Sequence, residues 1–360
     1  DAAGIGQRQH VGVGGKGGQH RAIPRVMLHQ AAARHHQRQQ VLGPPLDAPG
    51  VDEVGSTGIK VIEPVISEAS LRAVTRLDAS SSARIAIPVR KSFVRSADPE
   101  NPPPLAGFFK QGGRGAHVDL KVLLAVIWRC SSAPYRTEIS ARQIATLLDL
   151  DDPRGQGARR VNAALDRLEE RRLVRLKKRP GQSTVIILLN ESGDGSAYDV
   201  PSGKVIVRSG KKVNPNDPNL YAKVPVTLWK SGHMQQMSAP ALAMLLILLE
   251  EQAGGSRPVW FSTESFPERY RISASVRSRG TKELIARQLL YVRKQLVEGN
   301  STTFGRERVR NLYYLTAKAT GRPETPDAVI EDLLGKDSEA LRSYLSAKGK
   351  REAAGAKGVS

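Results

Sequence analysis

The feature that most constrains the fold is a segment whose apolar residues recur at helical spacing while its other positions are basic. Val161, Leu165 and Leu168 follow the i, i+4, i+7 pattern of one helix face. Burial of each such side chain would contribute roughly 1.5–3 kcal/mol. Arg159, Arg160, Asn162 and Arg167 occupy the remaining positions. The pattern predicts a helix whose apolar side packs against a small core of its own domain and whose arginines face outward.

The residues around this helix predict two earlier helices and a pair of strands. "VDLKVLLAVIW" has helical spacing and stops before Pro134. After the short extended piece "TEIS", Ser140 is a favoured N-cap for the helix "ARQIATLLDL". Asp152 then caps the basic helix, with Pro153 at its first position. "RLVRLKK", the turn "RPGQ" and "STVIILLN" complete a strand, a turn and a return strand.

The same order of elements returns further along the chain. "SAPALAMLLILLEE" predicts a first helix, "VWF" a short strand and "STESFPERYRIS" a second helix. A third helix with Ile285, Leu289, Val292 and Leu296 on one face precedes a strand, a basic turn and a strand within "VEGNSTTFGRERVRNLYYL". A weak repeat of 123 residues is expected, and its anchors pair Asp152 with Ser275, Gly157 with Gly280, and Leu173–Val174 with Leu296–Val297.

The predicted fold class is α+β and mainly helical, with two winged helix-turn-helix domains and a disordered N-terminal segment. The first 60 residues hold five of the seven histidines and no aromatic residue, so disorder is expected there, with translation of upstream DNA as the alternative. The predicted organisation is 1–60 disordered, 61–112 an extended arm or linker, 113–190 the first winged-helix domain, 191–220 a linker, 221–320 the second domain, 321–346 short C-terminal helices and 347–360 a disordered tail.

The positive charge is concentrated where these patterns are strongest. The net charge of the chain is +20. The number of Lys and Arg residues minus the number of Asp and Glu residues is 14 − 8 = +6 for residues 118–190 and 12 − 5 = +7 for residues 258–320. These two windows hold +13 of the +20, which favours a polyanionic partner.

The two third helices and the turns that follow them are the candidate DNA-binding elements. An α-helix fits the major groove, where Arg can bond guanine and Gln or Asn can bond adenine. Basic turns after the helix would contact phosphates or the minor groove. A solvated charged surface is the alternative. The candidate residues are Arg154, Gln156, Arg159, Arg160, Asn162, Lys177, Lys178, Arg179, Ser275, Arg277, Ser278, Arg279, Thr281, Lys282, Arg306, Arg308 and Arg310.

Three glycines at the starts of these helices leave two interpretations open. Gly155, Gly157 and Gly280 are poor helix formers. They could allow close approach of the backbone to a phosphate, or they could mark a frayed helix start.

Other features argue against catalysis, cofactors and membrane insertion. "GVGGKGG" around Lys16 lacks the phosphate-loop pattern, since His10 stands where Gly is needed and Gly17 replaces Ser or Thr. The single cysteine, Cys130, is expected to be a core thiol, and all three tryptophans are expected in the core. The longest apolar run, Ala241–Leu249, is too short to span a bilayer. We expect a non-enzymatic protein without cofactor or metal, cytoplasmic and associated with nucleoid or plasmid, whose C-terminal helices are a candidate dimerisation element.

Residues 118–320 resemble tandem winged helix-turn-helix DNA-binding proteins. "ISARQIATLLDLDDPRGQGARRVNAALDRLEERRLVRL" and "RYRISASVRSRGTKELIARQLLYV" are similar to the DNA-binding domains of bacterial transcriptional regulators. "YAKVPVTLWKSGHMQQMSAPALAMLLILL" is similar to the entry into winged-helix domains of two-domain plasmid and phage replication initiators. The resemblance implies double-stranded DNA binding, as regulator or as initiator. The alternatives are an adaptor whose winged helices bind an acidic protein and, with no positive support, an enzyme acting on nucleic acid.

Overall fold

The computed structural model describes most of residues 60–321, and these belong to one compact unit. Residues 82–83, 97, 99, 111–114, 202–216, 218, 253–257 and 298–307 within that range are not described. The predictions for 1–60, 321–346 and 347–360 lie outside the described residues, apart from Lys60 and Gly321.

Helices predominate among the described residues, and the strands form small antiparallel sheets, as expected for a mainly helical α+β protein. The helices are α1 Glu68–Ala79, α2 Lys91–Val94, α3 Pro104–Gly107, α4 Ala116–Arg129, α5 Ala141–Leu147, α6 Gln156–Glu170, α7 Thr227–Lys230, α8 His233–Gln236, α9 Ala239–Gln252, α10 Ser265–Tyr270, α11 Ala274–Ala286 and α12 Ala317–Thr320. The strands are β1 Ala86–Arg90, β2 Arg136–Thr137, β3 Val174–Lys177, β4 Val185–Leu188, β5 Tyr221–Pro225, β6 Leu290–Val297 and β7 Arg308–Leu315.

Helices α4, α5 and α6, here called the first triad, follow the predicted order. Ser140 caps α5 and forms a capping box with Gln143. The Asp152 carboxylate accepts bonds from the backbone N–H groups of Gly155 and Gln156, at 3.1 and 2.9 Å. The N-cap of α6 is nevertheless Gly155, so the prediction that Asp152 is the N-cap is wrong, and Pro153 lies in the preceding turn and not at the first helical position. The three strands of the first sheet lie side by side in the order β2-β4-β3.

Helices α9, α10 and α11, here called the second triad, repeat this order with one difference from the prediction. Helix α11 ends at Ala286, Gln288 adopts a left-handed conformation (φ 57°), and strand β6 begins at Leu290. The predicted helical face through Leu289, Val292 and Leu296 is therefore wrong. Strand β6 pairs with β7, and Val259 bridges to Tyr313 on the far edge of β7, as β2 does to β4 in the first sheet.

The repeat is present, but its spacing changes within each copy. Helices α4 and α9 are offset by 123 residues at both ends (239 − 116 and 252 − 129). The turns that end α6 and α11 are offset by 116 (288 − 172), because the loop before α11 is five residues shorter and α11 itself is two residues shorter. At this spacing Leu173 N–H bonds the Leu168 carbonyl and Leu289 N–H bonds the Leu284 carbonyl. The predicted anchors at Ser275, Gly280 and Leu296–Val297 are therefore misaligned.

Residues 61–112 are not an extended arm throughout. Ser67 caps α1, and Val74 and Leu77 of that helix are buried. The Ser70 hydroxyl donates to the Leu147 carbonyl at 3.0 Å, which fixes α1 beside α5. Strand β1 pairs antiparallel with β5. The interval therefore forms part of the folded unit.

The two triads share a continuous core, and neither has a separate one. Trp128 at the end of α4 packs against Trp229 with ring centroids 5.6 Å apart. The buried Lys121 ammonium donates to the Gln235 carbonyl at 2.5 Å. The expectation that each third helix packs on its own small core is therefore wrong.

The start of the predicted 191–220 linker also packs into this unit. Glu191 is fully buried and forms an ion pair with the buried Arg90 of β1. Tyr198 lies edge-on to Tyr135, with ring centroids 5.0 Å apart. Residues 191–200 therefore connect the first sheet to β1 by specific contacts, and the part of the linker from 202 to 216 lies outside the described residues.

Candidate nucleic-acid interface

Helix α6 has the two faces that its sequence predicts. Val161, Ala164, Leu165 and Leu168 are buried against the core. Arg159 and Asn162 are exposed on the opposite side, as are Arg154 and Gln156 where the helix starts. Burial of the apolar stripe fixes the rotation of the helix, so its outward residues are set by packing.

An open groove of about 390 Å³ joins the exposed side of α6 to the neighbouring elements. Arg154 and Asn162 line it from the third helix and its approach, Arg142 lines it from the N-terminal turn of α5, and Ser183 and Thr184 line it from the β3–β4 hairpin. The groove therefore combines guanidinium, amide and hydroxyl groups from three elements.

The β3–β4 turn is basic and exposed. Lys177, Lys178 and Arg179 are all exposed to solvent. Lys178 forms an ion pair with Asp166 at 3.0 Å, and Arg179 forms one with Glu138 at 2.9 Å. The hydrogen bond to Asp166 raises the pKa of Lys178, so this group stays cationic. Exposed ion pairs of this kind are weak, so a phosphate could replace either carboxylate.

Two arginines of α6 are engaged within the protein. Arg167 forms a two-pronged contact with the buried Asp119 of α4, with Nε–Oδ2 and Nη2–Oδ1 distances of 2.9 and 2.6 Å. Arg160 is half-buried, and its Nη2 lies 3.1 Å from His117 Nε2. Burial, then the charges of Lys121 and Arg160, lower the pKa of His117. The outward placement of Arg167 is therefore wrong, and Arg160 is only partly available.

In α11, the predicted residues divide into an exposed and an enclosed group. Ser275, Ser278, Arg279 and Lys282 are exposed. Thr281 is half-buried, and its hydroxyl oxygen is buried without a hydrogen-bond partner. The outward orientation predicted for Thr281 is therefore wrong.

Arg277 of α11 is also turned inward. Its guanidinium lies 4.7 Å from the ring centroid of Phe266 and 5.3 Å from that of Phe261, and it donates to the Tyr313 hydroxyl at 3.0 Å. Cation–π contacts hold it on these rings. The outward orientation predicted for Arg277 is therefore wrong.

The second hairpin is described only near its base. Arg306 and the side chain of Arg308 lie outside the described residues. Arg310 lies over Trp260, with its guanidinium carbon 5.3 Å from the ring centroid. Trp128 and Trp229 are fully buried as predicted, but Trp260 is 53% exposed, so its assignment to the core is wrong.

Close packing inside the chain explains the glycines. A Cβ at position 157 would lie 2.8 Å from the Asp151 carbonyl oxygen, in the turn before α6. One at position 280 would overlap the Pro240 carbonyl and lie 2.6 Å from Met244 Cγ, on α9. At these two positions neither phosphate approach nor a frayed helix start is required.

Several basic residues near the groove were not identified as candidates from the sequence. Arg142 follows the Ser140 cap and is exposed. It also borders a second groove of about 720 Å³ between α1 and α5, together with Arg72, Arg76 and Arg129. Arg142 could have been found, since it lies in the first turn of a predicted helix. Arg72 and Arg76 could not, because α1 was predicted to be extended.

The described part of the chain contains no cluster of three His, Cys, Asp or Glu side chains arranged to hold a metal. None of its helices combines the length and apolar character needed to cross a membrane. Cys130 is buried as predicted, and burial raises the pKa of its thiol to about 12.

No protein-family model, curated protein or solved structure matches this chain.

Proposed function

We propose that the chain binds double-stranded DNA, with each triad and its sheet acting as a winged helix-turn-helix. The observation that carries the proposal is the orientation of α6. Its buried stripe turns Arg159 and Asn162 outward, beside the exposed turn Lys177–Arg179. A helix with polar and basic side chains fits the major groove, and an adjacent basic hairpin can contact phosphates. The biological role we propose is that of a transcriptional regulator or a plasmid or phage replication initiator.

The two triads contribute unequally to this interface. In the first, Arg154, Gln156, Arg159 and Asn162 are exposed together. In the second, Arg279 and Lys282 are exposed while Arg277 is held on aromatic rings. We therefore assign base contacts mainly to α6 and treat α11 as a contributor of phosphate contacts.

The test is a titration of a mixed-sequence duplex at several salt concentrations, followed by fluorescence anisotropy. Each phosphate neutralised should lower the slope of log K against log salt by about 0.9. A protein with several phosphate contacts should therefore bind far more weakly at about 0.2 M salt than at about 0.05 M. A flat salt response, or no binding of any duplex at low salt, would contradict the proposal and would favour an acidic protein as partner.

A pair of matched variants separates specific contact from net charge. Arg159→Ala should weaken duplex binding by roughly 10-fold, and a selection from random-sequence DNA should return a changed site if the side chain reads a base. Lys223→Ala removes the same charge from an exposed position on β5 and should leave affinity nearly unchanged. Equal losses of duplex affinity in the two variants would show that Arg159 contributes only through the net charge of the protein.

A further inference from the structure

The outer face of the second sheet carries aromatic and basic side chains at matching register. Tyr291 pairs with Tyr314, and Arg293 pairs with Leu312, across β6 and β7. Residues directly opposite each other on antiparallel strands share a face. Val259 bridges to Tyr313, so Trp260 comes beside Leu312 on the outer side, and its contact with Arg310 agrees with that placement. We call Trp260, Tyr291, Arg293, Arg310 and Tyr314 the aromatic face.

This face is open to solvent to an extent that is unusual for large aromatic residues. Trp260 is 53% exposed and Tyr291 is 52% exposed, whereas Trp128 and Trp229 are fully buried. The inner side of the same sheet is conventional, because Val259 and Tyr313 are buried in the core. On the outer side Leu312 is buried and Tyr314 is half-buried, so the exposed rings of this face are those of Trp260 and Tyr291.

The ionisable side chains of these two strands are mostly basic. Strands β6 and β7 contain Arg293, Lys294, Arg308 and Arg310 and no acidic residue. Exposed rings interleaved with cationic groups form the type of surface on which bases stack while the backbone phosphates are neutralised. A duplex hides the faces of its bases in its own stack, so the complementary ligand is an unpaired strand.

We propose that the aromatic face binds single-stranded DNA by stacking unpaired bases on Trp260 and Tyr291, with Arg293 and Arg310 at the phosphates. The choice of DNA, and not RNA, rests on the proposed duplex binding by the same chain. The stacking surface itself does not depend on that function. The first sheet lacks such a face: at the positions equivalent to Tyr291 and Arg293, offset by 116, it has Arg175 and Lys177.

Tryptophan fluorescence of the full chain tests this directly, since Trp260 is the exposed member of the three tryptophans. An oligothymidylate of about 20 nucleotides should quench the emission and shield the chain from acrylamide. Trp260→Ala should weaken oligothymidylate binding by at least about 10-fold, as measured by anisotropy, and Trp260→Phe should retain most of it. Arg293→Ala should weaken binding, and Lys223→Ala, which removes the same charge from an exposed position on β5, should not.

Unchanged affinity in Trp260→Ala, or binding without quenching, would overturn the proposal. Tyr291→Ala supplies a second test if circular dichroism shows that Trp260→Ala is misfolded. Stronger binding of an oligouridylate would overturn the choice of DNA. Quenching by oligothymidylate in a protein that binds no duplex would refute the proposed function and leave this inference standing. Duplex binding without quenching by oligothymidylate would refute this inference and leave the proposed function standing.

Discussion

The two triads have the same element order, yet they use equivalent positions differently. At the offset of 116, the buried Val161 of α6 corresponds to Arg277 of α11, and the buried Ala164 corresponds to Gly280. The first triad exposes Arg159 on α6 and buries aliphatic groups on the opposite side of that helix. The second encloses an arginine on aromatic rings and exposes aromatic residues on its sheet. Conservation of the backbone arrangement therefore does not imply conservation of the surface that meets a partner.

The first helices of the triads show the same contrast. At the offset of 123, the buried Asp119 of α4 corresponds to the buried Leu242 of α9. Asp119 binds Arg167 and Arg171, which fixes the end of α6 through charge. In the second triad the equivalent positions hold Glu283, which accepts a bond from the Ser238 N–H at 3.1 Å, and Arg287, which donates to the Gln236 carbonyl at 2.9 Å. Polar contacts therefore position the third helix in both copies, and the second adds close helix packing at Gly280.

The largest effect is expected from exchanging the residues at the third-helix packing position. Gly280→Ala should destabilise the protein by about 3 kcal/mol, because the added methyl overlaps the Pro240 carbonyl and must displace helix α9. Ala164→Gly, at the equivalent place in α6, should cost only about 1–2 kcal/mol in lost burial and helix propensity. Urea unfolding measures both, and equal losses would show that the two third helices pack alike.

The next effect concerns Arg277. Arg277→Ala should lower the free energy of unfolding by about 2 kcal/mol, since it removes cation–π contacts and the bond to the Tyr313 hydroxyl. Duplex affinity should stay within about twofold of the wild type, in contrast to Arg159→Ala. A large loss of duplex affinity with unchanged stability would mean that Arg277 leaves the rings to bind DNA.

Acid should destabilise the protein partly through a histidine before the second triad. Burial, then the charges of Lys318 and Arg287, lower the pKa of His233 to about 4 from its ordinary value of 6.5. Between about pH 6.5 and pH 4 the imidazole of His233 is therefore protonated in the unfolded chain but neutral in the folded chain. The free energy of unfolding falls as the pH drops through this range. The loss should be about 1–2 kcal/mol at pH 5, from urea midpoints. His233→Gln should remove that part of the dependence.

The smallest effect should come from the first hairpin. Lys178→Ala should leave the unfolding midpoint unchanged, because its ion pair with Asp166 is largely exposed and contributes little to stability. If Lys178 contacts a phosphate, the same variant should lower the salt slope of duplex binding by about 0.9 in magnitude. An unchanged slope would exclude this hairpin position from the DNA interface.

The sequence predicted those parts of the fold that local patterns specify. The stripe from Val161 to Leu168 placed α6 and its buried face, since helical spacing and burial reinforce each other there. Ser140 marked the start of α5 because its side chain satisfies a free backbone N–H group. Asp152 did not mark the start of α6 in the same way, since that helix begins at Gln156 with Gly155 as its N-cap. The same reasoning extended α11 too far, because Leu289, Val292 and Leu296 fit a helical period by coincidence and lie in or beside a strand.

The sequence by itself determined the order of elements, the concentration of positive charge and the outward face of α6, because each depends on residues within one short segment. Only the tertiary structure decided that α1 and β1 belong to the folded unit, that Arg277 is enclosed and that Trp260 is exposed. These outcomes depend on which distant surfaces come together: α1 beside α5, α11 against aromatic rings, and Val259 at the edge of β7. Periodicity shows which side of an element is apolar, but pairing between distant segments decides what covers that side.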